Sequence, residues 1–166
     1  MNTQTAFTTD RLSIAPLNIA DSAFIFDLLN TEGWIKFIGN RNINLPEDAQ
    51  AYINRINTTA GVHYWTVSIK NSNVTIGLVT LIQRSYLPCH DIGFAFLPLF
   101  AGQGYAYEAA AAFMKIVFNQ FKLPKLLAIT LPANKQSIKL LEKLGMKFEK
   151  EMDEGEEKLL QYSIEA

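Results

Sequence analysis

The chain is nearly devoid of cysteine: Cys89 is the only one in 166 residues. A lone thiol forms no intramolecular disulfide and excludes a Cys-rich metal centre; no metal is expected. It fits a reducing compartment, and a cytoplasmic location is the expectation. A long apolar run is also missing. Nothing approaches the ~20 consecutive apolar residues of a membrane-spanning helix, which argues against a membrane partner. Met1–Asp10 lacks the basic and apolar regions of a signal peptide. Excess charge of either sign is absent as well. Lys and Arg number 15 against 16 Asp and Glu, a net charge of −1. That balance excludes the basic footprint of a general nucleic-acid binder. Repeats, low-complexity tracts and linkers are absent, so the length is that of one domain with one core.

What remains is apolar and patterned. Hydrophobic residues make up 49% of the chain, enough to fill that core. Arg11–Pro16 reads as a first strand and Ala20–Asn30 as a helix with Phe24, Ile25, Leu28 and Leu29 as its stripe. Asn44-Leu-Pro-Glu-Asp48 opens a second helix, with Pro in the first turn and acids at its positive end. That helix carries Ala49, Tyr52, Ile53 and Ile56. His63–Lys70 and Val74–Arg84 read as a strand pair around the turn residues Asn71-Ser-Asn73, with Ile76, Leu78, Thr80 and Ile82 facing opposite to Gly77, Val79 and Leu81. His90–Leu97 is nearly all apolar, as a strand covered on both faces should be. A helix from Ala109 to Phe121 connects it to another buried strand, Lys125–Leu131. Those two strands should therefore be parallel, with a right-handed crossover. Lys135–Leu144 is a helix stopped by Gly145. Met146–Glu151 and Leu159–Ile164 close the chain as a hairpin around the charged cluster Asp153–Lys158. The fold class is α+β: a mostly antiparallel mixed sheet with one parallel βαβ unit and flanking helices.

Phe100-Ala-Gly-Gln-Gly-Tyr-Ala-Tyr-Glu-Ala109 lies between that buried strand and its crossover helix. A Gly-x-Gly turn there collects backbone N–H groups at a helix N-terminus, a site suited to phosphate. It has no Lys-Ser/Thr pair of a Walker A loop, and Tyr107 stands where a dinucleotide fingerprint needs a third glycine. From spacing alone the turn is equally compatible with a tight connection that binds nothing.

This turn, the later Asn134-Lys-Gln-Ser-Ile-Lys-Leu-Leu-Glu-Lys-Leu-Gly-Met146, Thr9-Asp-Arg-Leu12 and Asp91-Ile-Gly-Phe94 together resemble the GNAT acetyltransferases. Within them they resemble the branch that includes the ribosomal-protein N-terminal acetyltransferases. The resemblance runs from about residue 9 to 148 in order and implies one acetyltransferase domain over residues 1–166. It implies acetyl-CoA as co-substrate, with the pyrophosphate on Ala101, Gly102, Gln103, Gly104, Tyr105 and Ala106. The glycines would allow that close backbone approach. The pantetheine arm would pair with main chain at Phe96 and Leu97, where the two parallel strands splay, and Asn134 would hold the cofactor's amide region. Family members often form homodimers.

Acetyl transfer needs a neutral amine, and an amine with a pKa near ~10.4 is mostly charged at neutral pH. A base must take its proton, and N–H donors near Phe96 must hold the oxyanion. Asp91, on the face of Gly93 and Ala95, is the first candidate base; an edge ion pair is its bland alternative. His90 is the second candidate, ahead of His63. Glu108 reads as a helix-dipole and packing residue. Leu141 stands where many family members have an acidic Tyr, and Ser137, one turn after Asn134, is the candidate group beside the CoA sulfur. The sequence departs from the branch at Ala101 (often Trp), Tyr107 (Thr or Ser) and Ala15 (Arg). The acceptor is an amine: a protein N-terminus, a polyamine or another small amine. Trp34–Gly39 and Arg84–His90 are its expected wall. A non-catalytic acyl-CoA-binding regulatory domain is the alternative reading.

Overall fold

The computed structural model describes residues 5–166; the first four residues of the segment read for a leader lie outside it. The apolar runs become eight strands, β1 (Phe7–Thr8), β2 (Leu12–Pro16), β3 (Val62–Ile69), β4 (Thr75–Ile82), β5 (Asp91–Phe96), β6 (Lys125–Thr130), β7 (Lys147–Glu154) and β8 (Glu157–Glu165). They form one sheet in the order β1-β2-β3-β4-β5-β6-β8-β7. Every neighbouring pair is antiparallel except β5–β6. Five helices cover it: α1 (Ser22–Leu29), α2 (Glu32–Phe37), α3 (Pro46–Thr58), α4 (Tyr105–Asn119) and α5 (Lys135–Lys143).

The helices lie on two faces because their stripes bury against different strand residues. Ala109, Phe113, Met114 and Val117 of α4 and Leu141 of α5 join Val79, Leu81 and Ile92 in one cluster. Phe24, Ile25 and Leu28 of α1 and Tyr52, Ile53 and Ile56 of α3 join Leu78 and Tyr64 in the other. Phe113 is fully buried with its ring 4.7 Å from that of Trp65; burying such a ring contributes about 1.5–3 kcal/mol.

Helix ends follow local chemistry. Asp48 Oδ2 accepts the N–H of Asn44 and Leu45 at 2.9 and 2.8 Å, fixing the start of α3. Gly145, at φ +86°, ends α5: its N–H bonds Glu142 C=O and the Met146 N–H bonds Leu141 C=O, both at 3.0 Å. Two expectations shift. Ile76 lies in the cluster of Val79 and Leu81 rather than on the face of Leu78, because the β3–β4 register steps from Val67↔Gly77 to Ser68↔Thr75 and leaves Ile76 as the bulged residue. Helix α4 begins at Tyr105, four residues before Ala109. Two short elements, β1 and α2, escape the periodicity; α2 is held by the Thr31 hydroxyl accepting the Trp34 N–H. No helix of the described residues is long and apolar enough to cross a membrane, and no group of His, Cys, Asp and Glu among them could hold a metal.

Candidate functional site

The glycine turn is a local consequence of sequence. Gly102 and Gly104 sit at φ +75° and +81°, where a Cβ is strained. A Cβ on Gly102 would meet no protein atom within 4 Å, so the space above it is open. Gly104 caps α4, leaving first-turn N–H groups without intrahelical partners. Among the predicted phosphate residues, Ala101 donates its N–H to Pro98 C=O at 3.1 Å.

A long-range clamp holds the turn. Glu108 Oε1 accepts from Thr9 Oγ1 at 2.6 Å and from the Arg11 N–H at 2.9 Å. Its Oε2 accepts from Arg11 Nε at 2.6 Å. Arg11 Nη1 donates to Gln103 C=O at 3.0 Å, and the guanidinium lies 4.4 Å from the centroid of the Tyr105 ring. Glu108 is thus more specific than a dipole partner: it ties the Thr9-Asp-Arg-Leu12 segment to the turn. Burial opposes its ionisation, yet the Thr9 and Arg11 hydrogen bonds hold its carboxyl below the ordinary value.

Beyond the turn the sheet opens. β5 and β6 register at one pair, Asp91 opposite Leu127, sealed by the Leu127 N–H on His90 C=O at 3.0 Å. Leu97 N–H bonds Ile76 C=O at 2.9 Å, and Leu97 C=O accepts from Phe100. Strand alternation then turns the main chain of Phe94 and Phe96 toward the gap. Of the two predicted main-chain partners, Leu97 is therefore engaged elsewhere and Phe96 faces the opening.

A cavity of about 210 Å³ passes through this gap. Gly93, Ala95 and Thr80 line it from the sheet; Asn134, Ser137 and Leu141 line it from the α5 side, and Trp34, Arg41, Tyr64 and Arg84 from the α1–α3 side. Asn134 Oδ1 accepts the Ser137 backbone N–H at 3.2 Å and so caps α5, fixing the Asn134 side chain beside the cavity. Leu141 adds an apolar wall one turn beyond Ser137. Phe96, Leu97 and residues 101–106 are not part of the lining.

Asp91 lines the same cavity and is 2% exposed. Arg84 Nε donates to its Oδ1 at 2.9 Å. Burial lifts the Asp91 carboxyl above the ordinary Asp value, and Arg84 holds that rise back. The ion pair foreseen as the bland alternative is present, inside the cavity rather than at an edge. Burial pushes the Tyr64 hydroxyl far up, aided by Tyr52, whose hydroxyl is 3.4 Å away. Neither histidine lines the cavity; burial lowers both. Of the expected acceptor wall, Trp34, Phe37 and Ile38 line the cavity from α2 and its end, while only Arg84 does so from its loop. Sequence reasoning missed Arg41, Tyr64 and Thr80. Thr80 carried a signal, a polar residue inside the apolar stretch Ile76–Ile82; Arg41 and Tyr64 carried none.

The family model of the acetyltransferase (GNAT) domain matches residues 11–147. An uncharacterised N-acetyltransferase of Bacillus subtilis strain 168, YnaD, is 27% identical over 142 residues, covering 86% of this chain and 82% of its own. The crystal structure of a GNAT-family acetyltransferase from Bacillus anthracis superposes with a TM-score of 0.82 at 25% identity, over 97% of this chain and 98% of that one. The ribosomal-protein-S5-alanine acetyltransferase of Vibrio fischeri gives 0.81 at 19% identity, over 97% and 96%; at that identity the likeness is one of fold.

Proposed function

The chain belongs to the GNAT acetyltransferase family, and from that premise we propose that it transfers the acetyl group of acetyl-CoA to a primary amine by direct attack through a tetrahedral intermediate. The observation that carries the reading is the cavity through the β5–β6 gap, which joins Asn134 and Ser137 on one side of the sheet to Asp91 on the other. The residues present fit the co-substrate: open space above Gly102, unpartnered N–H groups at the start of α4, and strand main chain at Phe96 facing the gap. Acetyl-CoA supplies an activated acetyl group on sulfur.

Residues Gly102, Gln103, Gly104, Tyr105 and Ala106 present N–H groups to the pyrophosphate, and Asn134 holds the amide region. The Phe96 N–H is the oxyanion donor, preorganised because the strand fixes it. Asp91 is the general base. Its Oδ1 is held by Arg84, and a lifted pKa makes the carboxylate a better proton acceptor than an ordinary Asp. Ser137 donates its hydroxyl toward the departing sulfur, in place of the Tyr that Leu141 replaces.

A thiol-release assay over a panel of amines tests this, paired with calorimetry of acetyl-CoA binding. Release with at least one amine, lost in Asp91→Ala, is expected. Binding of acetyl-CoA without release for any amine would establish instead the non-catalytic acyl-CoA-binding domain.

A further inference from the structure

The α1–α3 end of the cavity has more donors than acceptors, and that imbalance selects an acceptor. Its charged lining is two guanidinium groups, Arg41 and Arg84, against one carboxylate, Asp91. Asp91 is already held by Arg84 at 2.9 Å. Arg41, exposed in the loop after α2, forms no ion pair among the described residues. Trp34 is 5% exposed, and its Nε1 is buried without a hydrogen-bond partner, an unfavourable state for a buried donor. The same lining includes the apolar Phe37 and Ile38.

A polyamine would place a second ammonium beside two guanidinium groups, with Asp91 already paired by Arg84 and Glu154, the other carboxylate that acts on Arg84, outside the cavity lining. An amine that carries its own carboxylate meets the reverse situation, since a guanidinium and a carboxylate form the strongest of the charge-assisted pairs. We propose that the acetyl acceptor is a free amino acid with an apolar side chain, its carboxylate bound by Arg41 and its α-amine presented to Asp91. This rests on the acetyl-transfer reading above. The balance is simple: the amine nitrogen bonds the acetyl carbon, Asp91 takes the amine proton, and the C–S bond breaks to release CoA thiolate. The products are an N-acetyl amino acid and CoA.

The test compares kcat/KM from thiol release for leucine, methionine and phenylalanine with that for their carboxamides. Each amide keeps the amine and side chain and removes only the carboxylate charge. Spermidine and a short peptide with a free N-terminus complete the panel. The acids should exceed their amides by roughly 10- to 100-fold, the value of one charge-assisted hydrogen bond. Arg41→Ala should shrink that ratio chiefly through KM of the acid, and Arg41→Lys should recover part of it. Thermal unfolding of both variants at the wild-type Tm assigns the change to binding. An acid-to-amide ratio of one or less, a higher kcat/KM for spermidine or the peptide, or a ratio unmoved by Arg41→Ala overturns the proposal and leaves acetyl transfer standing. Absence of release with every amine, while acetyl-CoA still binds, overturns acetyl transfer and the acceptor together.

Discussion

Replacing Glu108 with Ala removes an acceptor that joins residues 97 to 99 positions apart in the chain. Three donors lose their partner at once. The Arg11 ion pair involves a side chain that is 46% exposed, so solvent screening limits it to about 0–1 kcal/mol. The bonds from Thr9 Oγ1 and the Arg11 backbone N–H contribute about 1 kcal/mol each. The sum is a loss of about 2–3 kcal/mol, or a Tm fall of roughly 4–12 °C for a chain of this size. Because the folded-state pKa of Glu108 is depressed, its contribution is present above the ordinary carboxylate range and fades as pH falls below it. Function should follow structure, since Arg11 then loses the group that fixes it against Gln103 C=O and Tyr105. Acetyl-CoA affinity should weaken, while an acetyl-pantetheine thioester, which lacks the pyrophosphate, should bind as it does to the wild type. Differential scanning calorimetry and titration calorimetry measure both effects. A Tm within about 2 °C of wild type, or equal weakening for the two thioesters, would refute the clamp.

Three further outcomes follow from the same geometry. Asp91→Asn should lower kcat by about 10²- to 10³-fold, and wild-type kcat/KM should fall with acidification at a pH above the ordinary Asp value, since burial lifts this carboxyl; an inflection at or below that value removes Asp91 as the base. Gly104→Ala places a Cβ at φ +81°, so it should cost about 1–2 kcal/mol in urea unfolding and raise the acetyl-CoA Kd, whereas unchanged affinity would detach the turn from the cofactor. Glu149 is held down to about 2 by hydrogen bonds from Lys125, Ser163 and Gln161. Its depressed pKa stabilises the fold above the ordinary Glu value of 4.5, and that stabilisation is lost as pH falls toward 2; the gap between wild type and Glu149→Gln in denaturant midpoint should close over this window, and a gap constant with pH would contradict the assignment.

The legible parts of this fold are those written in short stretches of chain. The stripe Phe24, Ile25, Leu28 and Leu29, the stop at Gly145 and the parallel β5–β6 pair all follow from neighbours within one element or one crossover. The bulge at Ile76 was not legible, because a period of two continues unbroken through that residue in sequence. Only the pairing of Ser68 with Thr75 across the strands displaces it. Helix α2 was hidden for a different reason: six residues carry less than two full turns, too few for periodicity, and a single Thr31 cap and the burial of Trp34 decide its conformation.

The two halves of the site divide along the same line. The donor half is backbone: a positive φ at Gly102 and Gly104, N–H groups at the start of α4, and strand main chain at Phe96. Such features depend on residue types in consecutive positions, and a sequence displays them directly. The acceptor half is side chains brought from α2, the loop after it, β3 and the segment after β4, with Arg41 and Asp91 separated by 50 positions. Nothing local distinguishes Arg41 from any other exposed arginine. Its meaning arises only beside Asp91 and Arg84, because the one carboxylate of the cavity lining is already paired there and Arg41 is not. On the proposed reading, the ion pair that looked in sequence like a competitor to catalysis at Asp91 also sets the charge preference of the cavity: it holds one oxygen of the proposed base and leaves Arg41 without an ion pair among the described residues.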